Sequence, residues 1–331
     1  MIYKNVEIFN VAELTEGSYG MQIHRYPTSV EAVFGDQGKR MNKNATGVEI
    51  RFRMISDTVK LRLSLGGTVY VYHGSVLGGW KEFSRQVAGG EGSEIVIERM
   101  QHPAVYQAIT KAGNHPFSPE VVRIVCNGGP LEIIDVEGEC VPPTPEELPK
   151  RTYLAYGSSI THGSLSLNAP SSFAFCVGEH FHTDVRNLGL AGSALLEREV
   201  ADYIADMGKQ GKWDFATLCM GANCINIPEE DIYSRVTYMI ETVAGANPDK
   251  HIFCISPIYC LSDLKGGEAP SRWRRIIGEL VEKYNSDKVH YINGLTLLDG
   301  AWGLSGDFVH PAPMGVRAIA ENLIAYMENY I

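Results

Sequence analysis

Two hydrophobic rhythms divide the chain. From residue 1 to about 140, apolar and polar residues alternate with period two in short runs at 48–54, 59–65, 69–72, 94–98, 121–125 and 131–135. Alternation of that kind buries every second side chain, so each run reads as a half-buried strand. Gly, Asn and Asp punctuate the runs closely and few helical periods intervene. The pattern predicts an antiparallel β-sandwich of jelly-roll type over residues 1–140. Asn127-Gly128-Gly129-Pro130, between two of the runs, has the composition of a hairpin turn.

The rhythm then changes. Residues 141–150 hold Pro142, Pro143, Pro145 and Pro149, a density that blocks regular pairing and predicts a stiff linker. From 151 to 331 strand patterns at 152–156, 184–188, 215–220, 252–255 and 289–292 alternate with helical ones at 171–182, 195–208, 229–245, 271–285 and 313–330. Five βα units in succession specify a parallel sheet with helices on both faces. Such folds place ligands at the carboxyl ends of the strands, which is where the chemically suggestive residues fall.

Tyr153-Leu154-Ala155-Tyr156 runs into Gly157-Ser158-Ser159-Ile160-Thr161-His162-Gly163. A hydroxyl nucleophile needs its Oγ on a turn that a base can reach and where backbone N–H groups face the developing charge. Ser159 is the candidate nucleophile and Ser158 the competitor, and serines in such a turn also serve as caps. Asp307-Phe308-Val309-His310-Pro311 stands just before the last helix. One short turn there can aim the His310 imidazole at Ser159 while Asp307 holds its Nδ1–H. Gly192 follows the second strand and Asn223 closes the third within Gly221-Ala222-Asn223. The N–H groups of Ser159 and Gly192, with the Asn223 amide, would supply three donors to an oxyanion.

These four ordered blocks resemble the SGNH/GDSL hydrolase superfamily over residues 151–331. The resemblance implies a flavodoxin-like α/β/α sandwich, a Ser159–His310–Asp307 triad, an oxyanion hole of Ser159, Gly192 and Asn223, and no metal or other cofactor. The stretches YGSSITHG and NLGLAGSALLE resemble the branch with an N-terminal β-sandwich, associated with carbohydrate esterases and a few acyltransferases. It implies hydrolysis of small acyl esters, with acetylated sugars as candidate substrates. An acyltransferase with the same triad, or a catalytically dead carbohydrate-binding protein, is the alternative. Two positions depart from the family pattern: Ser158 replaces the first-block Asp and Cys224 the third-block Asp. The second leaves support of the Asn223 loop to other groups, since a thiol cannot accept hydrogen bonds as a carboxylate does.

Composition narrows the partners. A net charge of −10 with no Lys/Arg cluster argues against nucleic acid. No apolar stretch is long enough to span a membrane and the N-terminus has no signal-peptide h-region. Seven cysteines without a Cys-x-x-Cys pair suggest reduced, mostly buried thiols in a cytoplasmic protein. A homo-oligomer stays open. Secondary candidates are His162 as a pocket or surface residue, His180 and His182 as a peripheral pair, and the segment 259–274 as a pocket rim with Trp273 in the core. Tyr70, Tyr72, His73 and Trp80 read as sandwich core or as an aromatic sugar platform.

Overall fold

A computed structural model describes residues 1–331. The chain forms two compact units, one of Met1–Thr28, Lys39–Lys150 and His182–Asp184, the other of Ser29–Gly38, Arg151–Phe181 and Val185–Ile331. The proline-rich segment belongs to the first unit. Cys140–Val141 pairs with the strand Glu49–Met54, Pro145–Glu147 forms a 3-10 turn, and Glu147 meets Arg53 at 3.0 Å.

All six alternating runs of the first unit are strands, distributed over an eight-stranded and a five-stranded antiparallel sheet. Ile50, Phe52, Val69, Val71 and Ile124 of one sheet and Leu61, Leu63, Ile95, Ile97 and Ile133 of the other share one hydrophobic cluster. Burying a side chain of this size stabilises by roughly 1.5–3 kcal/mol at most, which is what holds two such sheets together.

The expected hairpin at Asn127–Pro130 does not form. The strands before and after it, Val121–Gly128 and Glu132–Glu137, lie in different sheets, so the turn carries the chain from one sheet to the other. Gly66-Gly67 does the same between Thr58–Ser64 and Gly67–His73. The two crossings press against each other: a Cβ on Gly67 would lie 2.4 Å from the Asn127 carbonyl oxygen, and one on Gly129 equally close to that of Leu65. The glycines reflect this close backbone approach.

The first unit also buries charge that alternation alone could not reveal. Arg123 grips the Glu49 carboxylate through Nε at 2.8 Å and Nη2 at 2.6 Å, and Arg51 Nε meets the same carboxylate at 2.8 Å. Arg51 Nη1 and Nη2 reach Asp184 at 3.1 and 2.6 Å. Phe117 lies against both guanidinium groups, 3.7 Å from Arg123 and 5.1 Å from Arg51. Burial pushes the Glu49 carboxyl up, but the two arginines outweigh it and bring it down to about 2.

In the second unit the five strands are Thr152–Gly157, Asp184–Gly189, Phe215–Cys219, His251–Ile255 and Val289–Ile292, in spatial order second, first, third, fourth, fifth. The registers along the third, fourth and fifth strands are parallel, as is that of the first on the third. Right-handed crossovers convert this order into layers. The step from first to second strand runs opposite to every later step, so helix Phe173–His180 covers one face. Arg198–Lys209, Glu229–Ala246 and Ala269–Tyr284 cover the other. Packing agrees: the latter three contact one another in sequence, and Pro313–Met327 returns to lie against Phe173–His180. The order reverses between the first and third strands, which opens a crevice at their carboxyl ends.

Because the Glu49 value is depressed in the fold, its stabilisation is present above the unfolded carboxyl range and drains away as pH falls toward 2. The melting temperature is therefore expected to drop steeply below about pH 4. Glu49→Gln should lower it at pH 7 and flatten that acid limb; an unchanged limb in thermal scans would contradict the assignment.

Candidate active site

The first parallel strand ends in Gly157, where a Cβ would lie 2.3 Å from Thr161 Oγ1 and 2.8 Å from Cys219 Cβ. Only glycine lets the chain turn this tightly into the one-turn helix Ser159–His162. Ser158 is the N-cap, its hydroxyl accepting from the Ile160 N–H at 3.4 Å. That leaves Ser159, 8% exposed, to face the crevice. The competing serine thus has a capping role, and the departure from Asp at 158 retains a capping oxygen.

The turn is pinned from the second strand. Asn187, fully buried, donates its amide to the Thr161 carbonyl at 2.8 Å and accepts from the Gly189 N–H at 2.9 Å. Leu190 N–H donates to the Gly157 carbonyl at 2.8 Å. Gly189 gives His162 its place: a Cβ there would sit 2.3 Å from the His162 nitrogen. His162 is buried, with Nδ1 3.2 Å from the Gly189 carbonyl. It is neither the surface residue nor the pocket residue that its position suggested, because the glycine draws it under the strand.

The loop before the last helix delivers the imidazole. Leu304 and Pro311 form a β-bridge, and Ser305 N–H donates to the His310 carbonyl at 2.8 Å, closing the loop on itself. Asp307 Oδ1 accepts from the Ser305 hydroxyl at 2.7 Å and from the Val309 and His310 N–H groups at 2.9 Å each. Asp307 Oδ2 accepts from His310 Nδ1 at 2.7 Å, and the Ser159 hydroxyl donates to His310 Nε2 at 2.8 Å. Burial pushes the Asp307 carboxyl up, but the bonds from the His310 backbone, the imidazole, Val309 and Ser305 together hold it well below the usual carboxylate range. The turn at Ser159 and the loop carrying Asp307 and His310 meet. In this line the carboxylate fixes the tautomer with its proton on Nδ1, so that Nε2 can take a proton from the hydroxyl.

Gly192 and Asn223 stand at the ends of the second and third strands, in loops joined by a 3.0 Å bond from the Ala194 N–H to Asn223 Oδ1. That bond turns the Asn223 NH2 group to the opposite side. It also answers what supports Asn223 when Cys224, buried, follows it. Gly192 has φ +72°, a conformation that disfavours any side chain, and Gly221 has φ +100° with the Trp273 ring and Pro257 on its open side. Trp273 is fully buried, its Nε1 donating to the Ile225 carbonyl at 3.1 Å. Gln37, which sequence reading passed over, donates from Nε2 to the Ala191 carbonyl at 2.8 Å and lies alongside Gly192. It lies in an N-terminal stretch that carries no periodic signal.

Beside the turn a cavity of about 410 Å3 is lined by Ser158, Ile160, Ala222 and Val309 and extends to Phe173 and Ile319. The 259–274 segment contributes Cys260, Leu261, Ser262 and Lys265 to it, as its expected role at a pocket rim implies. The remaining candidates lie elsewhere. His180 pairs with Glu328 at the surface, His73 is buried, and Trp80 is almost fully exposed.

A parallel-sheet crevice with a serine, an imidazole and a carboxylate bonded in line defines the serine-hydrolase class. Residues 155–318 match the GDSL-like Lipase/Acylhydrolase family. Those residues form a GDSL-like lipase/acylhydrolase domain, and the match supports a serine esterase of the SGNH/GDSL type. Its fold is similar to a salicylyl-acyltransferase from a tetracycline biosynthetic pathway (TM-score 0.79, 15% identity, 98% of this chain and 94% of that one). It is also similar to a family two carbohydrate esterase from Clostridium thermocellum solved with cellohexaose (0.65, 13%, 98% of each). An acetyl xylan esterase from the rumen bacterium Butyrivibrio proteoclasticus gives 0.57 at 14% identity, over 99% of this chain and 96% of that one. At such identities the likeness is one of fold. No curated protein matches the sequence. No helix is long and apolar enough to cross a membrane.

If Gln37 holds the Ala191–Gly192 turn, Gln37→Ala should lower kcat severalfold. Its melting temperature should move little, since one half-exposed hydrogen bond is worth about 1 kcal/mol. Equal kcat for the two proteins in steady-state ester hydrolysis would show that the bond does not bear on the site.

Proposed function

We propose that the protein hydrolyses carboxylic esters through an acyl-enzyme on Ser159. The reading rests on one observation, the continuous line from Ser159 Oγ through the two nitrogens of His310 to Asp307, at 2.8 and 2.7 Å. His310 Nε2 takes the Ser159 proton as Oγ attacks the ester carbonyl, and the imidazolium is stabilised by the Asp307 carboxylate. The tetrahedral oxyanion is held by the Ser159 and Gly192 N–H groups and the Asn223 amide, each donor worth roughly 3–4 kcal/mol in the transition state. His310 returns its proton to the leaving alcohol. It then activates a water, which attacks the acyl carbon and releases the acid with Ser159 restored.

Water as acceptor is favoured by the openness of the base: the His310 side chain is 25% exposed and that of Asp307 45%. Transfer to another alcohol by the same residues is the alternative, supported by the acyltransferase among the similar folds. The two carbohydrate esterases among them support a sugar alcohol as leaving group. In this reading the antiparallel unit is a jelly-roll-like β-sandwich joined to a flavodoxin-like catalytic domain. Seven free cysteines, four of them buried, favour a reducing, cytoplasmic setting.

Ser159→Ala should lower p-nitrophenyl ester turnover at least roughly a thousandfold with an unchanged circular dichroism spectrum. Asp307→Asn should fold and lose much of kcat, because the imidazole is no longer held in the productive tautomer. Retained turnover by Ser159→Ala would remove the nucleophile assignment, and an unchanged rate in Asp307→Asn would reduce the machinery to Ser159 and His310.

A further inference from the structure

Resting on the reading of Ser159 as nucleophile, we propose that the cavity beside it is an acyl pocket selecting an apolar acyl group of about six to ten carbons over acetyl. Chain neighbours of the proposed machinery line one end of it. Ser158 and Ile160 flank Ser159, Ala222 precedes Asn223, and Val309 precedes His310. From there it runs between the sheet and the helices to Phe173, Leu297 and Ile319, all buried.

Size and chemistry both speak against acetyl. An apolar cavity of about 150 Å3 is enough to take the six carbons of a benzene ring, so the about 410 Å3 here leaves ample room for a flexible chain of roughly six to ten carbons. An acetyl group would leave most of it empty. Two of the polar side chains in the wall are already engaged. The Ser256 hydroxyl accepts from the Gly294 N–H at 3.0 Å, and Cys260 Sγ donates to Asp263 at 3.5 Å. The single charged lining residue, Lys265, is exposed. Sugar hydroxyls drawn into such a space would lose water and gain few partners, whereas methylenes lose nothing by it.

The wall is also braced open. Arg274, buried, donates to the Pro257 and Ile258 carbonyls at 2.9 and 3.0 Å and grips Asp263 at 2.6 and 2.8 Å. Those bonds tie the loop after the fourth strand in place. Leu261 N–H donates to the Phe308 carbonyl at 2.8 Å, joining that loop to the one carrying His310. A preformed cavity of this kind binds without first paying to order its walls.

The test is kcat/KM of the full-length protein on p-nitrophenyl esters from acetate to dodecanoate. Each methylene taken from water contributes about fourfold, so kcat/KM should rise at least about a hundredfold from acetate to octanoate and then level off. Ile225, partly exposed in the wall, offers a way to narrow the space: Ile225→Phe should cut the octanoate-to-acetate ratio at least tenfold. If that variant does not fold, the wild-type series decides alone. Acetate turned over as well as octanoate, with Ser159→Ala inactive on both, overturns the acyl pocket and leaves the nucleophile standing. No turnover at any chain length overturns both.

Discussion

One carboxylate organises the site. Asp307 accepts four hydrogen bonds within a loop of eight residues, three that close the loop and a fourth that carries the imidazole. The same negative charge therefore folds the segment and sets the tautomer of the ring it presents. Backbone N–H and hydroxyl donors keep it ionised, so it can stabilise a positive imidazole without competing for the proton. Remove the carboxylate and the loop loses its centre as well as its electrostatics. Everything proposed for Ser159 depends on this short arrangement.

The sheet supplies the other half of the alignment. Order reversal between the first and third strands brings three strand ends to one crevice, where a turn, a glycine loop and an asparagine loop converge. Packing at these ends leaves no room for a Cβ, against neighbouring side chains at Gly157 and Gly221 and against backbone at Gly189. Asn187 then ties the second strand to the first turn and Ala194 ties the second loop to Asn223. The network is continuous, and each member constrains the next.

Much of this was legible in the sequence because the relevant signals are local. The βα alternation gave the strands of the second unit within a residue or two, since each strand is a short apolar run bounded by turn residues. Ser159, Gly192 and Asn223 were visible as blocks at strand ends, and Asp307 and His310 as a block before the last helix. Non-local features were not. Periodicity cannot tell a hairpin from a crossing between sheets, so Asn127–Pro130 reads as a hairpin turn although it joins two sheets. A buried Arg51 or Arg123 has the same letter as an exposed one. Gln37 reaches the Ala191 turn across 154 positions of sequence, and no pattern in its own neighbourhood announces it. His162 was ambiguous for the same reason: its burial is decided by a missing side chain at Gly189.

The cavity is likewise a property of assembly, built from segments between Ser158 and Ile319, and it shifts attention from the alcohol to the acyl group. The central claim remains that Ser159 is the activated hydroxyl. Its most direct measurement is peptide mass spectrometry after treatment with an alkyl fluorophosphonate. One adduct per chain is expected, on Ser159, and none when His310 is replaced by alanine. An adduct on Ser158 or another residue, or labelling that is indifferent to His310, would contradict that claim.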